Sequence, residues 1–303
     1  MISAGFVVPD SERRGLIGAL PAPIRPYASL MRLDRPIGAW LLGWPCAWGL
    51  ALAGGLPRRW DLLLWFALGA WAMRSAGCVW NDIVDRDLDA RVERTRARPL
   101  PSGQVGVRGA LMLLALLLAV GMVVLLQLRL EAALVALGSL LFVAIYPFAK
   151  RFTWWPQAWL GIVFSWGALV GWTAVEAPAP ATLLLYAGTI AWVIGYDTLY
   201  ALQDVEDDAL VGIRSSARRL GRHVQGGVAA FYLVALAGWA GAIWAVRPQA
   251  LALLALLPAA VHLLWQVATV RTADGADALA KFRSNRFAGL LVFLACLVLG
   301  GAG

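Results

Sequence analysis

The chain has 303 residues, 61% hydrophobic and 15% charged, with a mean hydropathy of +0.71 and a formal net charge of +8. Soluble domains hold roughly 45–50% apolar and about 25% charged residues, so this composition excludes a soluble globular protein and predicts an all-α polytopic membrane protein. Sixteen Trp and 31 Gly suit that medium, because Trp favours the headgroup interface and Gly is common in membrane helices.

Residues 1–37 contain no unbroken apolar run and carry Arg13, Arg14, Arg25, Arg32 and Arg35. They read as a basic arm at the membrane surface and not as a cleavable signal. About nine apolar blocks follow, at roughly 38–55, 62–81, 108–127, 131–147, 157–175, 181–203, 225–246, 249–270 and 287–302, each near the length that crosses a bilayer. The connectors are short and carry breakers such as Gly54-Gly55-Leu56-Pro57 and Pro178-Ala179-Pro180. Residues 38–303 therefore read as one transmembrane domain. Cys46, Cys78 and Cys296 lie far apart inside apolar blocks and read as small hydrophobes; His223 and His262 are equally isolated.

Of the 26 Lys and Arg, only Arg58, Arg59, Arg129, Arg247 and the intra-span Arg74 lie away from the side shared with the N-terminal arm. The positive-inside rule makes that side cytoplasmic, with the N-terminus inside and the C-terminus outside. Most of the 18 acids fall on the same side, which the rule does not require. Ionisable groups gathered at membrane depth are costly and point to function.

Two acidic clusters carry the argument. On a helix at about 100° per residue, Asn81, Asp82, Asp85 and Asp89 share one face, Asp87 points away, and Arg74 returns to that face two turns deeper. In the second cluster Asp204 and Asp208 are one turn apart, with Asp197 two turns deeper and Tyr200 close by. Carboxylates crowded this way repel unless a cation sits between them, and Mg²⁺ prefers hard oxygen ligands shared with phosphate and water. The competing reading is a solvated acidic helix end balanced by Arg. A secondary transporter would instead place its ionisable residues near the bilayer midplane. A CDP-alcohol phosphotransferase would need a DG and AR arrangement that is absent here.

The halves also echo each other. Aligning Asp85 with Asp204 aligns Asp89 with Asp208, and Arg94-Thr95-Arg96-Ala97-Arg98-Pro99-Leu100 then resembles Arg214-Ser215-Ser216-Ala217-Arg218-Arg219-Leu220 after a one-residue gap. This suggests two helical pseudo-repeats, about 38–155 and 156–270, plus a final helix at about 287–302. The Arg pairs read either as ordinary positive-inside charge or as clamps on a diphosphate.

These residues resemble the UbiA superfamily of intramembrane aromatic prenyltransferases. The likeness runs from about Ala28 to about Val298. It is anchored on Met31-Arg32-Leu33-Asp34-Arg35-Pro36-Ile37-Gly38, on Arg74 through Asn81 and Asp89 to Arg98-Pro99-Leu100-Pro101-Ser102-Gly103, on Tyr146-Pro147-Phe148-Ala149-Lys150-Arg151 and on Tyr196-Asp197-Thr198-Leu199-Tyr200-Ala201 through Asp208. The longer strings favour the branch that prenylates 4-hydroxybenzoate for ubiquinone. The resemblance implies a ring-like bundle with an active-site cap on the cytoplasmic side, and Mg²⁺ with polyprenyl diphosphate held by Asn81, Asp82, Asp85, Asp89, Asp204 and Asp208. Asp85, Asp89, Asp204 and Asp208 are then catalytic, with Asp197 as candidate base or phenol-orienting group. Arg74, Arg94, Lys150 and Arg151 are candidates for the diphosphate, and Arg35, Arg151 and Tyr200 for the aromatic acid. Trp80, Tyr146 and Tyr200 are candidates to exclude water. A sister acceptor such as homogentisate is the alternative. The expected setting is a bacterial inner membrane with lipid around the bundle and a periplasmic C-terminus, and no nucleic-acid partner is expected.

Overall fold

The computed structural model describes residues 14–91, 95–205, 212 and 214–300. Every regular element among them is helical: α1 (Arg14–Ala19), α2 (Arg25–Leu30), α3 (Ile37–Leu52), α4 (Asp61–Asp89), α5 (Val107–Leu125), α6 (Leu130–Phe152), α7 (Pro156–Ser165), α8 (Gly167–Thr173), α9 (Pro180–Ala201), α10 (Ser216–Leu220), α11 (Val224–Val246), α12 (Leu257–Thr269) and α13 (Gly275–Gly300), with short 3₁₀ turns at Leu202–Asp204, Gly221–His223 and Ala250–Leu256. Seven helical stretches of the described residues are long and apolar enough to cross a membrane, and Ile37–Leu52 is a shorter apolar helix. The block expected at 157–175 is two helices, α7 and α8, meeting at Trp166, whose amide closes a tight turn on the Val163 carbonyl at 3.4 Å. The last helix starts at Gly275 instead of near 287. Asp274 Oδ1 accepts from the amides of Ala276 and Asp277 at 3.0 and 3.1 Å, which starts the helix a full three turns earlier.

Two units make up the chain. The first takes Met1–Ala39 and Leu68–Val124. Its core joins Leu30, Ala76, Val79, Leu100, Val105, Ala110 and Leu117. Ala28 and Leu30 are fully buried, so the arm read as lying on the membrane surface is, from Ala28 onward, part of this unit's packing. Leu100 works the same way: its burial anchors the Arg98–Gly103 string, and Gly103 turns the chain at φ +75° where a side chain is unfavourable.

The second unit takes Trp40–Ala67 and Leu125–Gly303. Here α9 and α11 touch backbone to backbone: a Cβ added to Gly238 would lie 2.6 Å from the Gly188 Cα. Close approach of small residues is how membrane helices gain packing energy when lipid offers no hydrophobic drive. Beside that contact Trp48, Trp192 and Trp239 interlock, with Trp48 5.1 Å from Trp192 and 5.4 Å from Trp239 between ring centroids. Their indole N–H groups are satisfied by the Gly289 carbonyl, Asn285 Oδ1 and Thr189 Oγ1 respectively. Helix α6 is largely exposed, with side chains such as Leu134 and Leu141 facing outward where lipid would meet them.

Candidate active site

Helix α4 is a single run of 29 residues. At 1.5 Å per residue it extends about 43 Å, longer than a hydrocarbon core of about 30 Å, so its final turns emerge at the polar boundary. Those turns carry the first acidic cluster. Asp82 and Asp85 are fully buried and Asp89 is 6% exposed, whereas the Asp87 side chain is 79% exposed and pairs with Arg86. Asn81 and Arg74 are half-buried. The helical phase thus places the carboxylates inward on one ladder, as the spacing predicts.

Arg32, to which the sequence assigned no role, and Arg98, of the first Arg pair, answer these charges. Arg32 Nη2 donates to both Asp82 oxygens at 2.7 and 2.9 Å. Arg98 Nη1 donates to Asp89 Oδ2 at 2.7 Å and lies 3.6 Å from Asp82 Oδ1. Thr95 Oγ1 donates to the Asp89 carbonyl at 2.8 Å, so the chain folds back over the helix end and delivers Arg98 to the ladder. Arg74 Nη1 and Ser75 Oγ donate to the Met31 carbonyl at 3.2 and 3.3 Å. Arg35, proposed for the aromatic acid, is held by Asp34 through Nε at 3.2 Å.

The second unit supplies the other cluster. The Thr198 and Ser216 hydroxyls share a 2.7 Å hydrogen bond, and the Ser216 amide donates to Gln157 Oε1 at 2.9 Å. This buried junction fixes the end of α9 against α7 and α10 and so sets the height of Asp197. Asp197 is half-buried, and among the described residues its carboxylate has no hydrogen-bond or ion-pair partner. Tyr200 packs on Phe282 at 4.8 Å between centroids. Asp204 does not continue the phase of α9. The α-helix ends at Ala201 and Leu202–Asp204 form a 3₁₀ turn, so the angular extrapolation from Asp197 fails there. Arg151 is exposed and lies over the Phe148 ring at 5.2 Å. Arg214 and Arg218, the second Arg pair, both face Trp154, at 5.5 and 5.6 Å.

Asp208 and Arg94 lie outside the described residues, as does the side chain of Lys150. Among the described residues no three His, Cys, Asp or Glu side chains are gathered to hold a metal unaided. The donor chemistry nonetheless fits Mg²⁺, which is commonly bound through one or two carboxylates with phosphate oxygens and water completing the shell. The α4 ladder offers buried oxygen ligands and neither thiol nor imidazole. Asp82 is the exception within it, because a guanidinium already occupies both its oxygens.

Comparison with known proteins gives a consistent picture. The UbiA prenyltransferase family model matches residues 42–297. The "4-hydroxybenzoate polyprenyltransferase, mitochondrial" of Caenorhabditis elegans is 42% identical over 92% of this chain and 79% of its own length. The protein of the same name from Arabidopsis thaliana is 43% identical over 96% of this chain and 72% of its own length. Among solved structures, the apo UbiA homolog from Aeropyrum pernix K1 aligns with a TM-score of 0.67 at 26% identity, covering 86% of this chain and 97% of that one. A UbiA homolog from Archaeoglobus fulgidus bound to GPP and Mg²⁺ shares the fold, with a TM-score of 0.62 at 17% identity over 88% of this chain and 99% of that one. The bacterial inner membrane expected from the sequence is overturned by these relatives, which are named as mitochondrial proteins; the multi-pass membrane character stands.

Proposed function

Because this chain belongs to the UbiA prenyltransferase family, we propose that it transfers a polyprenyl group from polyprenyl diphosphate to the ring carbon ortho to the hydroxyl of 4-hydroxybenzoate, a step of ubiquinone assembly. The observation that carries this reading is the buried ladder of Asp82, Asp85 and Asp89 with Arg74 on the same helix. The relatives' shared name supports the acceptor, and their location points to a mitochondrial membrane.

The allylic C–O bond breaks with its electron pair leaving on diphosphate, a C–C bond forms at the ring carbon, and the ring proton passes to a base. Asn81, Asp85 and Asp89, with Asp204 and Asp208, are the residues that would hold Mg²⁺. When bound there, the ion supplies charge neutralisation to the departing diphosphate. Arg74, Arg94, Lys150 and Arg151 add cationic contacts that orient the leaving group. Arg35 and Arg151 are the cations proposed for the substrate carboxylate. Asp197, whose carboxylate has no partner among the described residues, takes the ring proton. Tyr200, Trp80 and Tyr146 shield the allylic cation from water, whose attack would yield a prenyl alcohol.

The test is an acceptor panel. Protein in lipid is given geranyl diphosphate, Mg²⁺, and either 4-hydroxybenzoate or homogentisate, and product is followed by mass and by the position of substitution. Faster turnover of 4-hydroxybenzoate with ortho substitution is expected. Preference for homogentisate would transfer the chain to a sister acceptor, and no prenylated aromatic from any acceptor would refute the reading.

A further inference from the structure

The Arg32–Asp82 pair is built unlike the exposed ion pairs of this chain. Asp82 is fully buried and Arg32 is 9% exposed, whereas the side chains of Arg59 and Asp61 are 45% and 43% exposed. One guanidinium nitrogen bridges both Asp82 oxygens, and the other, Nη1, donates to the Ser29 carbonyl at 3.1 Å. Arg32 also sits at φ +55°, a left-handed conformation that a long side chain rarely adopts. A strained backbone persists only where its surroundings over-determine it. Here the surroundings are the buried carboxylate and the reversal of the chain between Ala28 and Leu33, whose carbonyl and amide are 3.1 Å apart.

That strained turn bears on Arg74. The residue before Arg32, Met31, offers the carbonyl that accepts from Arg74 Nη1 and Ser75 Oγ. On its other side the Arg74 guanidinium lies against Gly38, where an added Cβ would stand 2.5 Å from Nε and 2.9 Å from Nη2. The guanidinium is therefore fixed between a carbonyl and a bare backbone, and both belong to the segment that Arg32 ties to α4.

We propose that Arg32 and Asp82 are positioning residues for Arg74: their buried pair locks the 29–35 turn, and the Met31 carbonyl and Gly38 then aim the Arg74 guanidinium at the anionic group it binds. Asp82 is thereby a partner of arginine and not a metal ligand, which leaves Asn81, Asp85 and Asp89 as the α4 donors. Asp82 is turned by about 100° from Asn81 on the helix, whereas Asp85 and Asp89 follow Asn81 at one and two turns. The inference rests on the proposed function only for the identity of the anion.

The test compares full-length Gly38→Ala, Arg32→Lys and Asp82→Asn with wild type, and uses Asp85→Asn as the metal-face control. Each protein is assayed in detergent–lipid micelles with geranyl diphosphate and 4-hydroxybenzoate varied separately. Without turnover, the shift in melting temperature on adding Mg²⁺ and inorganic diphosphate is read in parallel. Gly38→Ala is the decisive variant, because the side-chain tip can yield where backbone cannot, so the protein folds and Arg74 moves by about 1 Å. A misplacement of that size costs up to about 100-fold. The expected result is a rise in KM of roughly 10- to 100-fold for one anionic substrate, as loss of a hydrogen bond between charged groups would give. Arg32→Lys, which keeps the charge but loses the planar fork, raises the same KM. Asp82→Asn lowers the metal–diphosphate shift as Arg32→Lys does, and a higher diphosphate concentration restores it, whereas Asp85→Asn loses it at every concentration.

A change in the diphosphate KM agrees with the role given to Arg74 above. A change confined to 4-hydroxybenzoate moves Arg74 to the acceptor and leaves the positioning role intact. If wild type turns over neither substrate, the proposed function fails while the melting shifts still decide the role of Asp82. The inference is overturned if Asp82→Asn loses the shift at every diphosphate concentration as Asp85→Asn does, or if Gly38→Ala leaves both KM values unchanged.

Discussion

Arg98 competes with any cation for the α4 ladder, and replacing it by Gln separates the two. Its Nη1 donates to Asp89 at 2.7 Å and stands 3.6 Å from Asp82, and its side chain is 22% exposed against 9% and 1% for the two aspartates. A hydrogen bond between charged groups contributes about 1.5–3 kcal/mol, and stripping a fully buried charge of its partner costs about 3–5 kcal/mol. Water reaches Arg98, and Asp82 retains Arg32, so the lower range applies and a loss of about 2 kcal/mol is expected in EDTA. Adding Mg²⁺ with diphosphate should then stabilise Arg98→Gln more than wild type, because the ion no longer competes with the Arg98 guanidinium for Asp89. Melting curves of both proteins, with and without the additives, measure both quantities. An unchanged melting temperature in EDTA, or an equal gain from Mg²⁺ and diphosphate in the two proteins, would refute this reasoning.

Further outcomes follow from the same geometry. Gly238→Ala forces a methyl to within 2.6 Å of the Gly188 Cα, where neither backbone can yield; overpacking of this kind costs about 1–3 kcal/mol and should lower the melting temperature in EDTA and in Mg²⁺ alike. Trp154→Ala removes the ring beneath Arg214 and Arg218, each such contact contributing about 0.5–1 kcal/mol at an exposed site; the diphosphate KM should rise severalfold with kcat retained, as steady-state rates would show. Asp197→Asn keeps the shape but loses the base, so kcat should fall about 100-fold or more at unchanged KM, and an unaltered kcat would assign proton removal elsewhere.

The first acidic cluster was legible in the sequence because it lies on one uninterrupted helix. Periodicity alone places Asp82, Asp85 and Asp89 inward and Asp87 outward, and their exposures agree. The second was legible only as far as Ala201, since angular phase is lost where the helix tightens into the 3₁₀ turn at Leu202–Asp204. Arg32 was overlooked in a string of two arginines. Nothing in the order of residues says which one turns inward, and the deciding feature is a left-handed backbone angle at a non-glycine residue. The start of the last helix was not legible from the final apolar block at about 287–302: Lys281 is 7% exposed within α13, with its ammonium 4.1 Å from the Trp265 ring centre and 3.6 Å from Asp277. A ring on another helix and a carboxylate one turn away make a buried cation tolerable, and hydropathy registers neither.

The most direct measurement of the central claim is prenyl transfer to 4-hydroxybenzoate by wild type, Asp85→Asn and Asp204→Asn, each with Mg²⁺ and with EDTA, followed by mass. Metal-dependent product from wild type, lost in both variants, is the predicted result. Product formation at wild-type rates in either variant, or by wild type in EDTA, would contradict a Mg²⁺–diphosphate site built on the two aspartate clusters.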